Sequence, residues 1–443
     1  MNTPTLASAS TSTTSAPHTT KAARARLVAA AAVGNALEFY DFTVYAFFAL
    51  VIGKLFFPVN DPLGQLLLAV ASFGVGFFTR PIGGLLIGMY ADRAGRKKAM
   101  LLTLGLMALG TAMIAVAPTY AQAGIAAPVI LVIARLIQGF SAGGEVGAST
   151  TLLLEQAPAN RRGFYASWQF ASQGLSALAG ALTGVALTAS LTTAQLEGWG
   201  WRVPFIIGTA IVPVGWWLRR TMEEAPRESV ATAHTASKAP KIPLVTVLRE
   251  HGRAVLNGLG LTIGGTSAHF IIVFYLSIYG VKTLGLPNWT AMLSGCVSGA
   301  ILFIVAPVGG YLSDRIGRNK LAQTTRILLM LAIYPAFVLL NKSPTTGTLL
   351  AVVTALSIVH SLNVGPTGAM LGELFPRQVR ATGAAIVYSL GVAIFGGFAQ
   401  FFVTLLIDVT KNVMAPAWYV IGCGTLSVIA VACMRERSRE TLD

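Results

Sequence analysis

Apolar positions in this chain come in long unbroken blocks. They fall near 26–52, 63–90, 99–117, 126–154, 163–190 and 201–218, then near 252–280, 289–312, 321–340, 347–373, 381–407 and 416–434. Each block is close to or above the roughly 20 residues a helix needs to cross a bilayer, so each predicts one membrane-spanning helix. The polar breaks are short except from Arg219 to about Glu250, which divides the blocks into two sets of six. The expectation is an all-α membrane protein of twelve transmembrane helices in two pseudo-symmetric six-helix bundles. Residues 24–218 and 251–434 form the bundles, 219–250 the linker, and 1–23 and 435–443 the tails.

Composition supports the spans: 54% of residues are hydrophobic, 11% are charged and mean hydropathy is +0.68. A net charge of +15 would ordinarily raise nucleic acid as a partner. Its distribution argues against that, because the basic residues sit in alternate breaks. Lys21, Arg24, Arg26, Arg93, Arg96, Lys97, Lys98, Arg161 and Arg162 share one side with the 219–253 segment, Arg315, Arg318, Lys320, Arg377, Arg380 and the tail arginines. The other side has Lys54, Arg202, Lys282, Lys342 and Lys411. The positive-inside rule then places both termini and the linker in the cytoplasm. Residues 1–23 are rich in Ser and Thr and lack a signal-peptide core, and read as a disordered cytoplasmic tail. The three cysteines lie in apolar blocks without metal spacing and read as packing residues.

Two breaks repeat. Gly88-x-x-x-Asp92-Arg93-x-Gly95-Arg96-x-Lys98 returns as Gly310-x-x-x-Asp314-Arg315-x-Gly317-Arg318-x-Lys320, and Glu155-x-x-Pro158-x-x-x-Arg162 returns as Glu373-x-x-Pro376-x-x-x-Arg380. A carboxylate ending one helix can pair with the arginine opening the next and so latch the cytoplasmic end of each half. The first motif pair resembles the signature loop of the major facilitator superfamily. That resemblance implies alternating access between two halves, with Asp92, Arg93, Arg96, Glu155, Arg162, Asp314, Arg315, Arg318, Glu373 and Arg380 as conformational residues.

Polar groups inside the spans are costly there and are candidates for function. A rise of about 1.5 Å per residue gathers Glu38, Arg80, Glu145, Gln173, His269, His360, Asn363 and Tyr388 in a layer about 12–24 Å from the cytoplasmic end. Asp41 lies one turn outward of Glu38, and Arg135 near the outer end of its span, where it could steer an anion or be paired structurally. Arg326 falls close enough to the inner surface to snorkel. Gly139-Phe-Ser141-Ala-Gly143 matches a hydrolase elbow, but it lies within a predicted span without a triad. Gly139 and Gly143 read instead as a small-residue face for close helix packing. No enzymatic activity and no cofactor are expected.

Gly34-Asn35-Ala-Leu-Glu38-Phe-Tyr-Asp41, Arg135 to Glu145 and Trp199-Gly-Trp201-Arg202-Val-Pro resemble the metabolite:proton symporter branch of that superfamily. Gly163 to Gln173 and Phe395-Gly-Gly are similar to its citrate and tricarballylate carriers. The resemblance implies proton-coupled import of a small organic acid across a bacterial inner membrane by a carrier working as a monomer. Citrate or tricarballylate is the first expectation; 2-oxoglutarate, shikimate or a zwitterion such as proline or betaine is the alternative, and a non-transporting membrane sensor the remote one. A multiply charged acid needs fixed cations and donors. Arg80 is the expected carboxylate ligand, with Asn35, Gln169, Gln173, His269, His360, Asn363 and Tyr388 around it. The expected proton carrier is Glu145, whose counterpart 218 positions on is Asn363, followed by Glu38 and Asp41.

Overall fold

The computed structural model of this chain describes residues 21–94, 96–143, 153–154, 157–158, 160–210, 213, 249–376 and 379–437. Every predicted apolar block holds a helix there, and no strand occurs among the described residues. Eight of the described helices are long and apolar enough to cross a membrane, and a bent pair makes nine. The shortfall from twelve has visible causes. Span three starts on Arg96-Lys97-Lys98, which leaves a shorter apolar helix at Leu101–Val116. Span four is described as a helix over Ala126–Ala142, and span six over 203–210. Of the predicted linker only 249–250, and of the predicted tails only 21–23 and 435–437, are among the described residues.

Breaks in the helices are local and have local reasons. Span one, Lys21–Phe47, turns by 65° at Phe48 into Ala49–Phe56. Span two opens at Pro62, with the Asp61 carboxylate accepting from the Leu63 and Gly64 N–H groups, and it is interrupted at Thr79 just ahead of Arg80-Pro81. Spans seven and eleven each carry one π-helical turn, at Phe270–Tyr275 and Ala393–Gly397. Span eight, Asn288–Ile316, ends on Gly317 at φ +100°, a conformation that explains the glycine in the second copy of the loop motif.

Large apolar side chains stand out from the bundle: Val116 is 78% exposed, Val409 71%, and Ile125, Leu256 and Leu331 70% each. In water such a surface would aggregate; in a bilayer it meets lipid. This is an all-α, multi-pass membrane protein, with spans one to six and seven to twelve as its two bundles.

The bundles meet along span five, Arg162–Ser190, and span eight. At the end bearing the basic loops, Asp314 of span eight accepts from the backbone N–H groups of Gly163 (2.8 Å) and Phe164 (2.9 Å), the first turn of span five. The carboxylate thus occupies the positive end of a helix in the other half. Glu373 pairs with Arg318 at 3.0 Å and with Arg162 of the other half at 3.7 Å. The sequence pairs Glu373 with Arg380, the next helix's opening arginine; the structure does not. Arg380 Nε donates to the Phe375 carbonyl, and the Glu373 carboxylate crosses to the first half. Away from that end the halves touch through rings, with Phe47, which ends span one, 5.6 Å from Phe274 of span seven.

Candidate functional site

Between these two closures lies a cavity shared by both halves. The break at Thr79 sets Arg80 at the start of a new helix on its wall. Span four lies flat on that stretch because its small face fits there: a Cβ on Gly139 would strike the Gly76 carbonyl, and one on Gly143 the carbonyl of Arg80 itself.

Arg80 is 3% exposed, and its Nε, Nη1 and Nη2 have no hydrogen-bond partner among the described residues. Rings surround it instead: the guanidinium carbon stands 4.0 Å from the Phe77 centroid, 4.7 Å from Phe42 and 5.8 Å from Phe39. Ring faces attract a cation but accept little hydrogen bonding, so they hold the fork while leaving its donors available. Tyr388 neighbours both Arg80 and Gln173, and the Gln173 Nε2 also lacks a partner among the described residues. Glu38 acts on Arg80 electrostatically without lining the cavity. Arg80 and Arg380 are the charged residues of the described wall, which contains no Asp or Glu.

The predicted site residues separate into three groups. Arg80, Gln169, Gln173, His269 and Tyr388 line the cavity. Asn35, His360 and Asn363 do not. Asn35 Nδ2 donates to the Gln169 carbonyl (3.1 Å) and to Ser172 Oγ (2.7 Å), and its oxygen accepts from Gln169 Nε2 (2.8 Å), so it ties span one to span five. His360 stands behind His269, with Nε2 3.3 Å from His269 Nδ1. Asn363 spends its amide on Thr325 and the Ala322 carbonyl. These three sit at the right depth but behind the wall, because depth along a helix says nothing about which face a residue takes.

The third group lies inside the first half. Asp41 accepts from the Thr111 hydroxyl, Thr111 accepts from Gln138 Nε2 (2.9 Å), and Gln138 accepts from Arg135 Nη1 (2.8 Å). Arg135 also lies 3.6 Å from the Tyr45 ring centroid and is fully buried. It therefore neither meets the outer surface nor lines the cavity, and the steering expectation gives way to a structural pairing. Arg326 does not snorkel either: it is 3% exposed among neutral partners.

Glu145 and Glu155 lie outside the described residues, and the side chains of Asp92, Arg93 and Arg96 are likewise outside them. Arg315 is exposed, 4.5 Å from the Tyr311 ring centroid, while Arg318 is buried in the ionic cluster. Among the described residues no group of His, Cys, Asp and Glu is placed to hold a metal ion. Sequence reasoning missed the aromatic lining of Phe39, Phe42, Phe73, Phe77, Phe270 and Phe274. Its signal was present, since each ring pair is spaced three or four residues apart beside Glu38, Arg80 or His269.

The family description Major Facilitator Superfamily matches residues 31–399. A citrate-proton symporter of Klebsiella pneumoniae is 35% identical over 409 residues, covering 92% of this chain and 91% of the relative. A proline/betaine transporter of Salmonella typhimurium is 31% identical over 428 residues, covering 94% and 84%. Among solved structures, a D-xylose-proton symporter superposes with a TM-score of 0.76 at 19% identity, covering 94% of this chain and 99% of that one.

Proposed function

This chain belongs to the Major Facilitator Superfamily, and from that premise we propose that it is a proton-coupled symporter importing a small organic anion, foremost a tricarboxylate such as citrate. The observation that carries this reading is Arg80: a buried guanidinium without a hydrogen-bond acceptor among the described residues, on the wall of a cavity whose described lining holds no acid. A buried charge without a partner is costly. A substrate carboxylate would supply the partner through two parallel bonds to the fork, and Gln173 and Tyr388 would donate beside it.

The relatives allow a second reading, a zwitterion such as betaine. Its motive is the ring-lined cavity, since aromatic faces bind quaternary ammonium groups. Three of those rings already hold Arg80, however, and the described wall offers the ammonium end no carboxylate.

Import with protons needs a group whose protonation depends on substrate and on the side to which the cavity opens. Of the candidates, Glu38 is the described carboxylate that acts on Arg80. In the empty carrier it balances the arginine; taking up a proton, it releases the arginine to the incoming anion. Asp41 is the second candidate, through Arg135, and Glu145 the third. The ionic cluster of Arg162, Asp314, Arg318 and Glu373 is the inward gate, with both chain ends cytoplasmic in a bacterial inner membrane. The carrier works as a monomer and needs no cofactor.

The test is uptake by the full chain in proteoliposomes, with and without an inward proton gradient, offering citrate, tricarballylate, 2-oxoglutarate, shikimate and betaine. The reading expects pH-driven accumulation of citrate. Accumulation of betaine alone would replace it with the zwitterion reading. In the same assay Glu38→Gln should exchange citrate but no longer accumulate it; full accumulation would move the proton to Asp41 or Glu145.

A further inference from the structure

Arg326 on span nine has no task in the account above. Its Nε donates to Asn363 Oδ1 (3.2 Å), its Nη2 reaches Thr367 Oγ1 (3.4 Å), and its Nη1 has no partner among the described residues. No carboxylate lies within ion-pairing distance of it among the described residues. Asn363 is itself fixed, its amide donating to Thr325 and Ala322, so its oxygen is held on the arginine. Neutral acceptors orient a guanidinium, but they do not neutralise it.

The missing charge has a route in. Two residues beside Nη2, Thr367 and Gly265, both line the cavity. Gly265 carries no side chain, and a Cβ placed there would stand 3.6 Å from Arg326 Nη2 and 4.0 Å from the Thr367 methyl. The arginine thus approaches the wall at a residue that carries no side chain.

We propose that Arg326 is the second half's carboxylate ligand, reached between Gly265 and Thr367, and that the cavity selects acids able to place one carboxylate there and another on Arg80. This deepens the organic-anion reading and rests on it. Such a substrate would bridge the two halves, because Arg80 belongs to span two and Arg326 to span nine. A monocarboxylate could occupy one arginine only and would leave the other buried without a counter-charge.

The test is citrate titration of purified full-length protein, reading affinity by calorimetry and folding by the unliganded melting temperature. Arg326→Gln should weaken citrate roughly 10- to 100-fold, the range expected for a hydrogen bond to a charged group. Gly265→Ala should weaken it by several-fold at least, since the added methyl fits its neighbours but covers the arginine; this variant carries the test if Arg326→Gln does not fold. Unchanged citrate affinity in either folded variant overturns the inference, and a lowered melting temperature with intact affinity would assign Arg326 to the scaffold. Arg80→Gln separates the two levels. If it loses citrate while Arg326→Gln does not, the anion reading stands and the second ligand falls. If wild-type protein does not bind citrate, or Arg80→Gln binds it normally, the underlying reading falls and takes this inference with it.

Discussion

Arg80 and Arg135 lie in the same half, both buried and both against aromatic rings, yet they are placed for different work. Arg135 is linked through Gln138 and Thr111 to Asp41, an acid of its own bundle. Arg80 has rings, and all three of its nitrogens lack a partner among the described residues, whereas on Arg135 the Nη1 is bound and Nε and Nη2 are not. A bundle that carries its own counter-charge is complete when empty, whereas one that leaves a guanidinium unanswered is completed by what it binds. The sequence separates them by depth alone, with Arg80 as the carboxylate ligand and Arg135 near the outer end of its span, and the partners that distinguish them come from neighbouring helices.

The largest effect expected from this contrast is on binding. Arg80→Ala should weaken citrate by roughly 100-fold or more, the scale for losing a bidentate charge-assisted contact. Arg80→Lys should recover little, since an ammonium cannot reproduce the planar fork. Neither change should lower the melting temperature of the empty protein. Citrate titration and thermal melting of the same preparations give both readings; near-wild-type affinity in folded Arg80→Ala breaks the contrast.

Next in size is the stability of the other arginine. Asp41→Asn removes the acid that ends this chain of hydrogen bonds, which should cost about 1.5–3 kcal/mol. Arg135→Gln in the same chain should restore much of that loss, because the stranded charge is gone. Melting temperatures of the two single variants and the double variant measure the coupling. Simple additivity would mean that the network does not act as a pair.

The ionic gate should have a smaller, kinetic effect. Asp314 joins the two halves by binding the first N–H groups of span five, so on the proposed gating role Asp314→Asn should slow citrate uptake about tenfold and leave affinity within about threefold. Equal losses of rate and affinity would place Asp314 in binding rather than in gating.

How much of this was legible beforehand depends on what each feature rests on. Spans follow from length and apolarity, which any bilayer enforces, so the blocks of the sequence became helices. Arg80, Gln169, Gln173, His269 and Tyr388 were legible as cavity residues because polar groups at that depth are rare. Asn35, His360 and Asn363 share the depth but take the wrong face, and face is set by neighbouring helices rather than by the local string. The partner of Glu373 was hidden for a similar reason. The repeated motif pairs it within its own half, while the tertiary fold brings Arg162 of the other half to it. Arg326 was misplaced because counting turns from the end of a block cannot tell a side chain that rises to the surface from one drawn inward by Asn363.

The smallest expected effect tests the line between wall and interior, and Asn35 is the residue for it. Its three hydrogen bonds all remain inside the first half, to the Gln169 carbonyl, Ser172 Oγ and Gln169 Nε2. Hydrogen bonds within a membrane bundle average about 0.6 kcal/mol each. Asn35→Ala should therefore cost roughly 1–2 kcal/mol of stability, seen as a modest fall in melting temperature. Citrate affinity should change by less than about threefold, because Gln169 stays anchored on span five and Arg80 is untouched. A tenfold loss of affinity with an unchanged melting temperature would return Asn35 to the binding set, and would mean that span one turns toward the cavity when substrate is present.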